Sequence, residues 1–128
     1  MRIVFISDTF SENMGYAAMC LPKSLASLGH EVHMLTSNAQ VYYNAPFYNE
    51  VYEHFLGPCL TKYGVKEFDG YTLHRMPFQS KNGEMMLRGL FKKLVQLKPD
   101  VVQTFSITAQ TTFQVALYKL LLGYKLFT

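Results

Sequence analysis

Apolar and polar positions along this chain alternate between two periods. Arg2-Ile-Val-Phe-Ile-Ser7 is a short apolar run. A polar loop, Asp8 to Asn13, leads through Met14-Gly15-Tyr16 into a segment with Leu21, Leu25 and Leu28 at helical spacing. Gly29 closes that segment, and a second strand-like run extends from Glu31 to Thr36. Strand, loop, amphipathic helix and strand in this order predict a β-α-β crossover with its two strands parallel. Pro22 falls inside the helical segment and removes a backbone hydrogen bond, so a kink is expected there, or a helix whose regular part starts near Leu21.

The change of period recurs further on. Glu84 to Leu97 sets Leu87, Leu90, Phe91, Leu94 and Leu97 on one stripe, with Arg88, Lys92 and Lys93 largely outside it. Ala109 to Leu122 does the same with Phe113, Ala116, Leu117, Leu120 and Leu121. Both segments are expected to be helices with these stripes against a sheet. Pro99-Asp100 before Val101-Val102, and Gly123 before the run from Tyr124, are the punctuation of strand starts. Between Val65 and Met76 the pattern is strand, Asp69-Gly70, strand; Asp-Gly readily supplies positive φ angles, so a hairpin inserted on the sheet is expected. A short helix is expected over Asn49 to Leu56, within an aromatic stretch that holds Tyr42, Tyr43, Phe47, Tyr48, Tyr52 and Phe55. Together these elements predict an α/β fold: a Rossmann-like open sheet, mostly parallel, with helices on both faces and an inserted β-hairpin.

Composition narrows the picture. A chain of 128 residues suits one compact domain. Leu120-Leu121-Leu122 is cut short by Gly123 and Lys125, far below the ~20 apolar residues of a membrane span. The opening strand has no lysine-rich lead or small-residue cleavage site, so a cytoplasmic protein is expected. The net charge of +3 is spread along the chain, which argues against a nucleic-acid partner and leaves weak attraction to anionic surfaces open. Cys20 and Cys59 are far apart and are expected to be buried free thiols, and the scattered His30, His33, His54 and His74 suggest no metal site.

In an open parallel sheet, ligands sit beyond the carboxyl ends of the strands, where the strand order reverses. With the first strand central, that crevice is bounded by the Asp8–Tyr16 and Ser106–Gln110 loops. The candidate binding residues are Asn13, Met14, Gly15, Tyr16, Ser106 and Thr108. Gly15 lets backbone approach a ligand at a helix start, or else serves only to make the turn. One glycine stands where a dinucleotide fingerprint needs three, and there is no Gly-Lys-Ser/Thr of a phosphate loop. Asp8 and Glu12 are candidate acids or helix caps, and Ser7, Ser106 and Thr108 are candidate hydrogen-bonding hydroxyls. Ser106 lacks the glycines of a nucleophile elbow. The aromatic stretch suits stacking on sugar rings, contact with a membrane, or covering the core. Arg88, Lys92, Lys93 and Lys98 suit anionic lipid headgroups or a solvated helix face.

Five segments carry a family likeness: Arg2-Ile-Val-Phe-Ile-Ser-Asp8, the Gly15 loop, Leu25-Ala-Ser-Leu-Gly-His-Glu-Val32, Phe68-Asp-Gly-Tyr-Thr-Leu-His-Arg-Met-Pro77 and Leu97-Lys-Pro-Asp-Val-Val102. In this order and spacing they resemble the amino-terminal domain of the family-4 glycosyltransferases of GT-B fold. The resemblance implies two facing Rossmann-like domains, the amino-terminal one holding the acceptor and the other holding a nucleotide sugar with a pair of glutamates. It further implies that the whole enzyme is a hexosyltransferase. A sugar would pass from the nucleotide sugar to an acceptor such as a glycan, glycolipid or small molecule. On this resemblance residues 1–128 are the acceptor side, with no cofactor of their own, and the donor domain is the partner that completes the site. A cytoplasmic location, at most peripheral to the inner face of the membrane, is expected. So is self-association through surface left uncovered near Tyr124–Thr128. The chain departs from the family pattern at two points. Met14-Gly15 keeps one of the usual paired glycines, and Gln103-Thr104-Phe105 stands where His-x-His is common, so no catalytic residue is carried over. A non-catalytic binding subunit of a split glycosyltransferase and a flavodoxin-like small-ligand module are the alternative readings.

Overall fold

The computed structural model describes all 128 residues, Met1–Thr128. In chain order the elements are β1 (Arg2–Ser7), α1 (Ala17–Ser27), β2 (Glu31–Ser37), α2 (Tyr48–Val51), α3 (Glu53–Leu56), β3 (Gly64–Phe68), β4 (Tyr71–Met76), β5 (Phe78–Lys81), β6 (Glu84–Leu87), α4 (Leu90–Leu97), β7 (Val101–Thr104), α5 (Gln110–Leu122) and β8 (Lys125–Phe127). Six strands form one sheet in the order β3-β4-β2-β1-β7-β8, and β5 pairs with β6 apart from it. All neighbours in the large sheet are parallel except β3, which runs antiparallel to β4. This is an α/β protein with a mostly parallel sheet, compatible with a Rossmann-like fold.

Strand alternation divides the core in two. Ile3, Phe5, Val32, Met34, Tyr71 and Leu73 face α1 with Ala18. Val4, Ile6, Leu35 and Val102 point to the other face, where Leu90 and Leu94 of α4 and Val115 of α5 cover them. Apolar residues on both faces of the central strands are what a buried parallel sheet requires.

Five expectations are corrected. The hairpin at Asp69-Gly70 is present, with φ of 51° and 85° at those residues, but β4 pairs parallel with β2. It is therefore a full member of the parallel sheet, and only β3 is added to it. The segment Glu84–Leu97 is not one helix. Asn82-Gly83, with φ of 53° and 80°, makes a two-residue turn between β5 and β6, so Glu84–Leu87 is a strand and α4 begins at Leu90 behind the left-handed Gly89. Leu87 does reach the core, but from a strand.

The phase of α5 also differs. Its buried residues are Thr111, Thr112 and Val115, while Phe113, Leu117, Leu120 and Leu121 are exposed. The buried stripe contains two threonines, whose hydroxyls find partners in the fold, and the more apolar stripe points outward. Cys20 is exposed, not buried, and Cys59 is half-buried; both are free thiols. α1 starts at Ala17, with Pro22 inside it and buried, so the Ala18 carbonyl has no N–H donor from that position. The expected helix over Asn49–Leu56 is two short turns, α2 and α3. No helix is long and apolar enough to cross a membrane.

Candidate functional site

Strand order reverses at β1, which has β2 on one side and β7 on the other. A cleft of ≈ 230 Å3 opens at that point, lined by Ile6, Ser7, Asp8, Thr9, Thr104, Phe105, Ser106, Ala109, Thr111 and Thr112. It lies beyond the carboxyl ends of β1 and β7 and against the first turn of α5, where the topology of an open α/β sheet puts a ligand. Its walls carry six hydroxyls and one carboxylate, with no lysine, arginine or histidine.

Three of these hydroxyls already have partners within the fold. The Ser7 hydroxyl donates to the Thr9 carbonyl at 2.8 Å. Thr111 donates to Asp8 Oδ1 at 2.5 Å, and Thr112 donates to the Ser106 carbonyl. Thr104 is different: its side chain is buried and its Oγ1 has no hydrogen-bond partner. Buried polar groups are nearly always paired, so this enclosed hydroxyl behind the cleft wall is a polar group that the fold itself leaves without a partner. Burial raises the Asp8 carboxyl above the usual aspartate range, opposed by the Thr111 hydrogen bond and reinforced by the charge of Glu84. Glu84 Oε2 in turn accepts from the Gln110 N–H at 3.3 Å, so a carboxylate already occupies the start of α5. Phe105 forms an apolar wall, stacked on Phe5 at 5.8 Å and 18°.

Of the residues singled out in the sequence, Ser106 lines this cleft; Thr108, two positions on, does not. Asn13, Met14, Gly15 and Tyr16 do not line it either. The loop after β1 folds toward the loop after β2: Phe10 N–H donates to the Ala39 carbonyl, and buried Ser11 donates to Gln40 Oε1 at 2.7 Å. Beyond this brace Asn13 Nδ2 reaches the Phe55 carbonyl at 2.9 Å, and the Tyr16 hydroxyl accepts from the Ser11 N–H. Gly15 is exposed, its φ is not in the left-handed region, and a Cβ there would meet nothing within 4 Å. Of the two candidate acids, Asp8 is in the cleft, whereas Glu12 lies in a separate cleft at β3 and β4.

Thr104, Thr111 and Thr112 carried no motif, and only their arrival at one crevice marks them. A second polar group was equally invisible. His33 Nδ1 and His74 Nε2 are 3.1 Å apart, and Glu31 Oε1 lies 3.1 Å from His33 Nε2. Burial, helped by the charges of Lys93 and His33, pushes the His74 pKa down to about 4. No cluster of three or more histidines, cysteines or acids is arranged to hold a metal. Comparison with protein-family models, curated proteins and solved structures finds no match for this chain.

Proposed function

We propose that this chain is the acceptor-side domain of a family-4 GT-B glycosyltransferase, with the cleft between β1 and β7 as the seat of a hydroxyl-rich acceptor. The observation that carries the reading is the lining of that cleft: hydroxyls, one carboxylate and an apolar wall, with no cation, at the reversal of strand order. A sugar ring offers both donors and acceptors and no charge, which matches such a lining. A flavin phosphate or a dinucleotide would meet the charges of Asp8 and Glu84 where those ligands need backbone N–H groups free. The volume suits a small ligand, since clefts for drug-sized molecules run from about 300 Å3 upward. The five sequence segments in family order add the fold-level part of the argument.

In this reading Asp8 accepts a hydrogen bond from the acceptor hydroxyl and orients it, and its raised pKa strengthens it as an acceptor. Thr104 supplies a further hydrogen bond, and Phe105 packs on the ring's apolar face. A donor domain on the opposite side would bring the nucleotide sugar. Titration of the chain with mono- and disaccharides, glycolipid headgroups, flavin mononucleotide and nucleotides, followed by amide chemical shifts, tests this. Glycosides should move Asp8, Thr104, Ser106 and Thr111, and Asp8→Ala should remove the response. A response to flavin or nucleotide, with none to any glycoside, overturns the reading.

A further inference from the structure

A second cleft, of ≈ 330 Å3, lies over the β3–β4 pair and is lined by Glu12, Lys62, Gly64, Lys66 and Arg75 among others. Arg75 is 7 % exposed, and its guanidinium is fixed from behind. Nη1 donates to the carbonyls of Phe10 at 2.7 Å and Ser37 at 3.2 Å, and the group lies over the Phe10 ring at 5.4 Å. Nη2 has no hydrogen-bond partner. Glu12 Oε1 is 3.6 Å away, beyond hydrogen-bond reach, and is instead held at 2.7 Å by Lys66 Nζ. Gly64 stands opposite Arg75 across the strand pair and adds no side chain there, so the charged group beside the enclosed Nη2 is the Glu12 carboxylate. Three cations against one carboxylate, with one buried arginine nitrogen unmet, make a built anion site.

We propose that this cleft binds a phosphoryl group, which Arg75 Nη2, Lys66 and Lys62 hold, with Glu12 standing in the place that the anion takes. The proposal deepens the acceptor reading, on which it rests for the body of the ligand. Both clefts open at the carboxyl edge of the sheet, three strand spacings or ~14 Å apart, so the acceptor is a sugar or sugar-like body that carries its phosphoryl group at about that distance. The charges divide accordingly: the β1/β7 cleft has hydroxyls and no cation, and this one has cations.

The test is titration of the full chain with inorganic phosphate at chloride-matched ionic strength. Wild type should bind it. Glu12→Gln should tighten binding by about tenfold, as removal of one charge about 4 Å away in a solvent-open cleft implies. Lys66→Ala and Lys62→Ala, both at exposed positions, should weaken it severalfold. Circular dichroism confirms the fold of each variant. No binding by wild type and Glu12→Gln alike, or a folded Glu12→Gln that binds no tighter than wild type, overturns the proposal. Vesicles of phosphatidic acid against phosphatidylcholine distinguish the sources of the phosphoryl group. Retention on the former with the same variant order assigns a lipid headgroup, and phosphate binding without retention assigns a soluble ligand. Glycoside binding without phosphate binding overturns this subsite alone, and phosphate binding without any glycoside response overturns the acceptor reading alone.

Discussion

Thr104→Val separates binding from folding, because the two effects should have opposite signs. Thr104 ends β7 with its side chain 2 % exposed and its hydroxyl unpaired, whereas its neighbours Thr111 and Thr112 already donate to Asp8 and Ser106. Valine keeps the branched shape that suits a strand and deletes only the unmet polar atom. A buried hydroxyl without a partner costs about 1–3 kcal/mol, and a change that deletes it while keeping the branched shape should recover at least the low end, about 1 kcal/mol. Unfolding entropy near 2.1 cal/mol/K per residue converts that to about 4 °C in Tm for 128 residues. Thermal unfolding by circular dichroism should therefore place Thr104→Val above wild type. The same variant should bind glycosides severalfold and up to about tenfold more weakly, the worth of one lost hydrogen bond. A variant that melts lower, or that binds glycosides as wild type does, would refute the reasoning, since the hydroxyl would then be paired in the free protein or irrelevant to the ligand.

Two further outcomes are expected. The folded His74 pKa is depressed to about 4, so the unfolded chain takes up that proton first as pH falls; the stability this contributes is full above about pH 6.5 and is lost toward pH 4, by at most about 3 kcal/mol. His74→Leu should flatten the dependence of Tm on pH across that window, and a slope equal to wild type would count against it. Gly15→Val, in open space and without a left-handed φ, should shift Tm by no more than about 2 °C and leave glycoside binding in the β1/β7 cleft intact; loss of binding with the fold retained would return the Gly15 loop to the site.

The parallel framework was legible because its strands are apolar runs and their boundaries carry Gly, Pro or Asp: β1, β2, β7 and β8 all lie where the pattern put them. The crevice followed from topology alone. What was not legible depended on partners far along the chain. Asn82-Gly83 is as good a turn signal as Asp69-Gly70, but Leu87, Leu90, Phe91, Leu94 and Leu97 also fit a helical period and hid it. In α5 the apolar stripe was real, but hydropathy does not say which stripe faces the sheet when threonines on the other can bond to Asp8 and to the Ser106 carbonyl. Arg75 falls inside a family-like segment, and nothing local announces that Phe10, Ser37 and Glu12 will surround it.

The brace between the loops after β1 and β2 bears on how quickly a ligand can come and go. Phe10 and Ser11 are fully enclosed, and Ser11 is tied to Gln40 and to the Val41 N–H, while Gln40 Nε2 donates to the Leu56 carbonyl. A rim fastened at both ends to buried partners has no hinge with which to swing over the crevice, so opening it would mean breaking core contacts, a slow and rarely sampled event. Occupancy of the crevice should then follow simple encounter and escape in a single kinetic phase, with the rate rising linearly with ligand concentration. Any closure over a bound ligand would have to come from the opposite rim, where Phe105 to Thr108 are exposed.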